Sequence, residues 1–450
     1  MIPCTTVLVG RNLTADGSII HAHNEDMGVS IAGRLWHVSS KNYNPGEMVT
    51  VPYMEIPQSS HTYAYWASGN ARNVQKEELS KETLPYDNIL IGMNEHGLTM
   101  SCNWAYSKEE NLVEKGIRRY AIRQMILERC STTEEAVLLI GSFIEKYGQA
   151  DWGGLIYVLA DPNSGWIVET TSKHWVAKKL HDDEIITVAN RFQIGNDYDL
   201  ASSDIIEFAE EKGWYNPGDG AFNFNDAYGF PPRMNEQYDI ERENRVVRII
   251  EKKKGRITPS DLMTVLRDRF HGTPAYTPPA EYEPTRINCY KLGVRRPICT
   301  NLCQSSFVAH LRKGLPVAVG SVLWYTMATP AYSSYFPLYA GTTRIPGGFS
   351  HDSAKDDRQS VWWKYRMLQL SIDKSTEKNR IAFRKLAKDM TADIMKHQEE
   401  VEREVLELLF DDRHHIALSI LNRYTAQSAR KSLTGVRNLL RRDVRYNISF

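Results

Sequence analysis

Cys4 stands near the start of the chain, and a polar cluster, His23-Asn24-Glu25-Asp26, follows it after a turn. A thiol attacks as its thiolate, so it needs a base or a cationic setting to ionise near neutral pH. A cysteine that begins a mature chain carries such a base itself, because its own α-amine has an ordinary pKa of ~8. For Cys4 this requires removal of Met1-Ile2-Pro3. Methionine removal normally needs a small second residue, and Ile2 is large. Release of Cys4 therefore calls for attack of its own thiol on the Pro3 carbonyl, or for another peptidase. The plainer alternative is a small apolar residue opening a strand.

The elements around Cys4 must bring it to the cluster. Thr5 to Gly10 is rich in Thr, Val and Leu, Ala15-Asp16-Gly17 is a turn signal, and Ser18 to Ala22 resumes an apolar run. The pattern predicts a β-hairpin whose second strand ends beside the start of the first, with Asp26 near Cys4 if the register allows. A second hairpin is expected from Asn88–Asn94 into Leu98–Cys102. Helices are expected over 116–147, broken at Cys130-Ser131-Thr132-Thr133, where Thr132 or Thr133 can cap the second. Further strands are expected at 154–160, 166–170, 175–179 and 184–189, then helices at 202–212, 242–254 and 260–270. Pro-rich sequence follows over 273–284, then strands at 297–302 and 318–327. The chain from 353 to about 438 reads as mostly helical, a tail expected to cover the sheets or support a homo-oligomer interface. Hairpins first and helices last suit stacked antiparallel sheets with helices outside rather than a doubly wound parallel sheet.

Bulk properties narrow the function. Lys+Arg and Asp+Glu are both 55 in 450 residues, so no basic excess is available to hold a nucleic acid. No apolar run is long enough for a transmembrane helix, and the N-terminus lacks a basic region followed by an apolar one, so neither a membrane partner nor a secretory signal is expected. A cytoplasmic location is the default. Cys4, Cys102, Cys130, Cys289, Cys299 and Cys303 form no disulfide framework in a chain this long. The spacing of Cys299 and Cys303 could suit a metal, but no matching second pair stands nearby, and packing is the better account. No His-Glu-x-x-His motif occurs, which disfavours a metallopeptidase.

The order of motifs adds a resemblance. Cys4-Thr5-Thr6-Val7-Leu8-Val9-Gly10, Asp16-Gly17-Ser18 and Asn24-Glu25-Asp26 resemble the start of the dipeptidase A family of cysteine peptidases. These are N-terminal-nucleophile hydrolases, related to the secernins, choloylglycine hydrolase and penicillin V acylase. Asn94-Glu95-His96-Gly97-Leu98, Trp166-Ile167-Val168-Glu169-Thr170, Val188-Ala189-Asn190-Arg191-Phe192 and Tyr335-Phe336-Pro337-Leu338-Tyr339 follow in family order. The resemblance implies an α+β, four-layer αββα fold, with residues 1–3 a leader, 4–350 the catalytic domain and 351–450 a helical C-terminal extension on the same domain. It implies hydrolysis of dipeptides through a thioester, without metal or organic cofactor. Cys4 would be the nucleophile, Asp26 would orient its amine, and Asn190, with Asn103 second, would donate to the oxyanion. Arg245 would fill the place of a site arginine. Glu25 and either Arg191 or Arg245 are candidates, from charge type alone, to hold the two ends of a zwitterionic substrate. Many relatives carry arginine at the position of His23, and histidine is cationic only in part near neutral pH. The rival readings are an acyl-amide hydrolase of the choloylglycine hydrolase type and a non-enzymatic, secernin-like protein.

Overall fold

The computed structural model describes residues 4–27, 32–71, 86, 88–109, 113–230, 234–276, 278, 296–353 and 359–443. The expected leader Met1-Ile2-Pro3, Cys289 and much of the Pro-rich 273–284 segment lie outside them.

The predicted first hairpin forms, with strands Thr5–Val9 and Ile19–Asp26 paired antiparallel and Thr6 opposite His23. Asp16 builds its turn by accepting from the backbone N–H (3.3 Å) and the hydroxyl (2.6 Å) of Ser18. Two large sheets organise the molecule. The first has six strands in the order Ile185–Val188, Thr5–Val9, Ile19–Asp26, Cys303–Leu311, Ser321–Met327 and Phe336–Tyr339. The second has eight, in the order Leu200–Ala201, Trp175–Lys179, Gly165–Thr170, Gly154–Ala160, Thr99–Ala105, Ile89–Asn94, Tyr65–Asn70 and Gly33–Val38. The strand pairings within both are antiparallel.

Side chains alternate faces along a strand, and the apolar residues sort accordingly. Leu8 and Ile19 of the first sheet pack with Ile91, Ile156 and Val158 of the second, so the sheets stack face to face. Val7, Val9, Ile20 and Ala22 point the other way, against Val246, Ile250, Leu262, Leu266 and Leu421 of the helices. The outer face of the second sheet buries Met100, Leu155 and Val168 against Ile126, Val137 and Ile140 of helices Arg119–Arg129 and Thr133–Tyr147. Thr132 caps the latter helix by accepting from the Glu135 N–H. That helix lies close on the sheet at Gly141, where a Cβ would stand 2.4 Å from Trp175 Cζ2. The layers are helix, sheet, sheet, helix, the αββα order expected of the chain.

The helical tail also forms, as Val361–Asp373, Glu377–Met395, Gln398–Phe410 and His414–Asp443. Trp362, Tyr365 and Leu433 join the inter-sheet core, while Val405, Ala417 and Leu421 join the helix-side core. Among the described residues no helix is long and apolar enough to cross a membrane.

Two expectations shift. The strand expected at 297–302 is a loop, and the strand itself is Cys303–Leu311, which lies in the sheet between Ile19–Asp26 and Ser321–Met327. Its first half, Cys303-Gln304-Ser305-Ser306, is polar yet fully buried, so no apolar period marked it. The strand expected from 318 starts at Ser321, after a helical turn at Val317–Gly320.

The hairpin turn reaches across the sheet, because Asp16 Oδ2 accepts from His310 Nε2 at 2.7 Å. Burial alone would raise the Asp16 pKa, but His310 and Ser18 override it and hold the carboxyl well below its usual range. A depressed carboxyl stabilises the fold above its unfolded pKa of ~4, and that contribution is lost as pH falls below this value. In thermal melts across acid pH, Asp16→Asn is expected to lower Tm near neutrality and to converge on the wild type in acid; a constant offset at every pH would contradict the linkage.

Candidate active site

The hairpin register sets Thr5 opposite Asn24, which brings Cys4 to the level of Glu25. Cys4 is 2% exposed. Its Sγ lies 4.0 Å from Glu25 Oε1 and 3.9 Å from the Asp26 carbonyl oxygen. Its N–H donates to Asn190 Oδ1 at 3.2 Å. Nitrogen and sulfur of one residue therefore sit in the same buried polar cluster.

Asn190 follows the edge strand Ile185–Val188, which pairs with Thr5–Val9. Its amide nitrogen donates to the Trp104 carbonyl (2.8 Å), so the side chain ties the edge of one sheet to a strand of the other. Its Oδ1 also accepts from Arg242 Nη2 at 2.7 Å. Arg242, fully buried on helix Met234–Ile250, donates through Nη1 to the Cys4 carbonyl (2.8 Å) and Thr5 Oγ1 (3.1 Å), and through Nη2 to Asp239 Oδ1 (2.6 Å). Arg296 Nη1 lies 3.6 Å from the same Asp239 oxygen.

This arginine was missed in the sequence, where Arg245 was expected. Arg245 lies nearly one turn further along the helix, and its Nε and Nη2 donate to Asp268 at 2.9 and 2.8 Å. Arg245 borders a cavity of about 450 Å³ with Glu241, Phe270 and Pro274, and Cys4 is not part of its lining. The available signal was helical phase: Arg242 shares a stripe with Val246 and Ile250, both fully buried, and a charge on an apolar stripe must be paired inside.

The other expected residues are placed as follows. Asp26 is fully buried and sits opposite Cys303. Thr300 and Cys303 are near its carboxyl, yet neither oxygen makes a hydrogen bond of good geometry among the described residues. Burial pushes its pKa up to about 8, against the pull of Arg242 and Arg296. Asn103 gives its amide hydrogens to the carbonyls of Val188 (3.0 Å) and Ala189 (2.7 Å), so it braces the turn into Asn190. Arg191 forms a two-pronged pair with Glu243 Oε2, at 2.9 and 2.7 Å. His23 links Glu25 Oε2 (3.1 Å) on one side to Thr6 Oγ1 (2.7 Å) on the other. Cys299 and Cys303 contact Thr329 Oγ1 and the Ser305 carbonyl respectively.

A second unforeseen residue is Arg123 of helix Arg119–Arg129, buried with carbonyl partners at Ile89 (3.4 Å) and Cys102 (3.3 Å). Its positive charge acts on both Cys4 and Glu25. Burial, then Glu25 and Asp26, raise the Cys4 thiol well above its ordinary pKa, and Arg123 only partly opposes them. With its nitrogen in a peptide bond, Cys4 is thus held protonated at neutral pH.

The Cys4 thiol, the His23 imidazole and the Glu25 carboxylate thus meet in one buried cluster on the first sheet. The sequence matches the family described as "Peptidase family C69" over residues 3–388. The chain belongs to this family and is a peptidase. It is 23% identical over 404 residues to a "Probable dipeptidase" of Latilactobacillus sakei, covering 82% of this chain and 81% of that one. It is 25% identical over 379 residues to a "Probable dipeptidase" of Salmonella dublin, covering 77% and 83%. A "Probable dipeptidase B" of Streptococcus pyogenes serotype M1 is 24% identical over 406 residues, covering 80% and 76%. Among solved structures, a mutant conjugated bile acid hydrolase from Clostridium perfringens superposes with a TM-score of 0.40 at 14% identity, over 75% of this chain and 92% of that one.

Two outcomes follow from the site. Iodoacetamide should alkylate Cys4 slowly at neutral pH while Met1-Ile2-Pro3 remains attached, and much faster once Cys4 is terminal; peptide mass mapping reads both rates, and equal rates would show that the amine does not activate the thiol. Arg242→Ala takes the hydrogen-bonded partner from the buried Asp239 carboxylate and leaves it Arg296 at 3.6 Å, so the loss should fall toward the lower end of the about 3–5 kcal/mol that breaking a buried pair costs. Urea unfolding should show a loss of that size.

Proposed function

We propose that this peptidase is a cysteine dipeptidase whose nucleophile is Cys4, set free by removal of Met1-Ile2-Pro3. The observation that carries the reading is the shared setting of the Cys4 nitrogen, on Asn190 Oδ1, and the Cys4 sulfur, beside Glu25. Family membership and relatives named as dipeptidases support it. Once Cys4 is terminal, its amine can take the thiol proton directly.

In the proposed reaction the thiol passes its proton to the α-amine, and the thiolate attacks the carbonyl carbon of the scissile bond. The ammonium returns that proton to the departing amine, leaving a thioester on Cys4. Water then gives a proton to the amine and attacks the thioester, releasing the acid and the thiol. Asn190 is first a positioning residue, holding the amine through Oδ1. To serve the oxyanion, its amide must exchange the Trp104 carbonyl for the substrate oxygen. The buried Asp26 carboxyl, without a well-formed partner, suits the ammonium that appears during turnover. Arg123 supplies the permanent positive charge that arginine provides in relatives at the position of His23. Arg191 and Arg245 have carboxylate partners, which argues against either as the grip on the substrate carboxylate.

The helical extension from 351 belongs to the same folding unit in this reading, since its apolar residues complete both sheet cores. Cys4, Cys102, Cys130, Cys299 and Cys303 are free thiols, which suits a reducing, cytoplasmic setting.

Cys4→Ala is expected to abolish hydrolysis of free dipeptides, and N-acetylation of a dipeptide to reduce its turnover strongly. Liquid chromatography of the products measures both. A preference for the N-acetylated form would favour an acyl-amide hydrolase, and normal turnover by Cys4→Ala would overturn the assignment. The intact mass of the active enzyme should correspond to a chain starting at Cys4.

A further inference from the structure

The bond pattern around His23 fixes the role of Nδ1 and sets Nε2 against Glu25. Asn103 spends its amide hydrogens on two backbone carbonyls, which fixes Oδ1 toward Thr6. The Thr6 hydroxyl therefore donates to Asn103 Oδ1 (2.7 Å) and must accept from His23 Nδ1–H (2.7 Å). In the neutral ring this leaves a lone pair on Nε2, aimed at Glu25 Oε2 3.1 Å away. An acceptor facing an acceptor requires a cation between them, either a proton or a metal ion. On its far side Glu25 faces the Cys4 thiol.

We propose that Cys4 Sγ, His23 Nε2 and the Glu25 carboxylate bind one zinc ion in the processed enzyme, and that this ion blocks the nucleophile. The effect on activity rests on the reading of Cys4 given above; the binding does not. The ligand atoms of the three side chains lie within 4.8 Å of one another, and all three residues are buried. Zinc takes sulfur at ~2.3 Å and nitrogen or oxygen at ~2.0–2.2 Å, so tetrahedral ligands stand ~3.3–3.6 Å apart. His23 Nε2 lies 3.1 Å from Glu25 Oε2 and Cys4 Sγ 4.0 Å from Glu25 Oε1, so the ion would need the Cys4 thiol to draw in toward the other two ligands. Mixed sulfur, imidazole and carboxylate donors suit zinc better than magnesium or calcium. Thr6 and Asn103 orient the ring from behind, as outer partners of metal-bound histidines do. The free amine of Cys4 can supply a fourth donor, closing a five-membered ring with its own sulfur. Glu25 offsets part of the ion's charge, while Arg123 opposes it. An arginine in place of His23 would remove the nitrogen ligand and add repulsion, so relatives with that residue should lack the site.

Purified enzyme stripped with a chelator is titrated with zinc against a chromophoric chelator, and with cobalt(II) to follow thiolate-to-cobalt charge-transfer absorption. Wild type should bind one zinc per chain and develop the absorption band. Cys4→Ser should lose the band, and His23→Gln should weaken zinc binding on the order of 100-fold or more, with folding checked by circular dichroism. Zinc should inhibit dipeptide hydrolysis reversibly, and a chelator should restore it, whereas a metallopeptidase would lose activity to the chelator. Absence of stoichiometric binding, or unchanged binding in His23→Gln, overturns the proposal. Binding with these dependences in an enzyme that cleaves no dipeptide supports the metal site and overturns the catalytic reading alone.

Discussion

The buried guanidinium of Arg242 is the interaction on which the site depends. It grips the Cys4 carbonyl, Thr5, Asn190 and Asp239 at once. A charge inside a protein is costly unless it is paired and hydrogen-bonded, and here the two terminal nitrogens of the guanidinium take those partners. Satisfying it therefore fixes the start of the first strand, the end of the edge strand and helix Met234–Ile250 relative to one another. The thiol is held in place by a cation that does not itself touch the sulfur.

Around this anchor the two sheets share a polar seam within an apolar interface. His21 meets Thr99 and Ser101 across the gap, at 3.0 and 2.9 Å, and His23 reaches Asn103 through Thr6. Such buried networks are costly unless every member is paired, and once paired they impose one arrangement. Here the seam sets the register between sheets that Leu8, Ile156 and Val158 hold together without direction. Stability comes mostly from the apolar contacts, and the geometry of the site from the polar ones.

Legibility in the sequence followed the strength of local signals. The first hairpin was readable because Ala15-Asp16-Gly17 separates two apolar runs, and the capped second helix because Thr132 precedes Glu134 and Glu135. The strand Cys303–Leu311 was not, because residues facing a polar seam carry no apolar alternation. The strands Gly33–Val38 and Tyr65–Asn70 also went unforeseen, and they pair with each other across a long intervening segment. Asn190 and Cys4 could be nominated from motif order, but nothing local could show that the Asn190 carbonyl, rather than its amide, faces the Cys4 nitrogen.

By itself the sequence determined the chemical types at the site and the hairpin that carries them, because turn residues and strand periodicity act over a few neighbouring positions. Only the tertiary structure decided which charges surround the thiol. Arg123 and Arg242 lie far from Cys4 along the chain and come from two different helices, and Asp239, three residues before Arg242, pairs with the latter. Arg191 is turned to Glu243 and Arg245 to Asp268, whereas Arg242 lies on the face of its helix that meets Cys4 and Thr5. The energy of a buried ion depends on every group packed around it, and that set is defined only when the layers close.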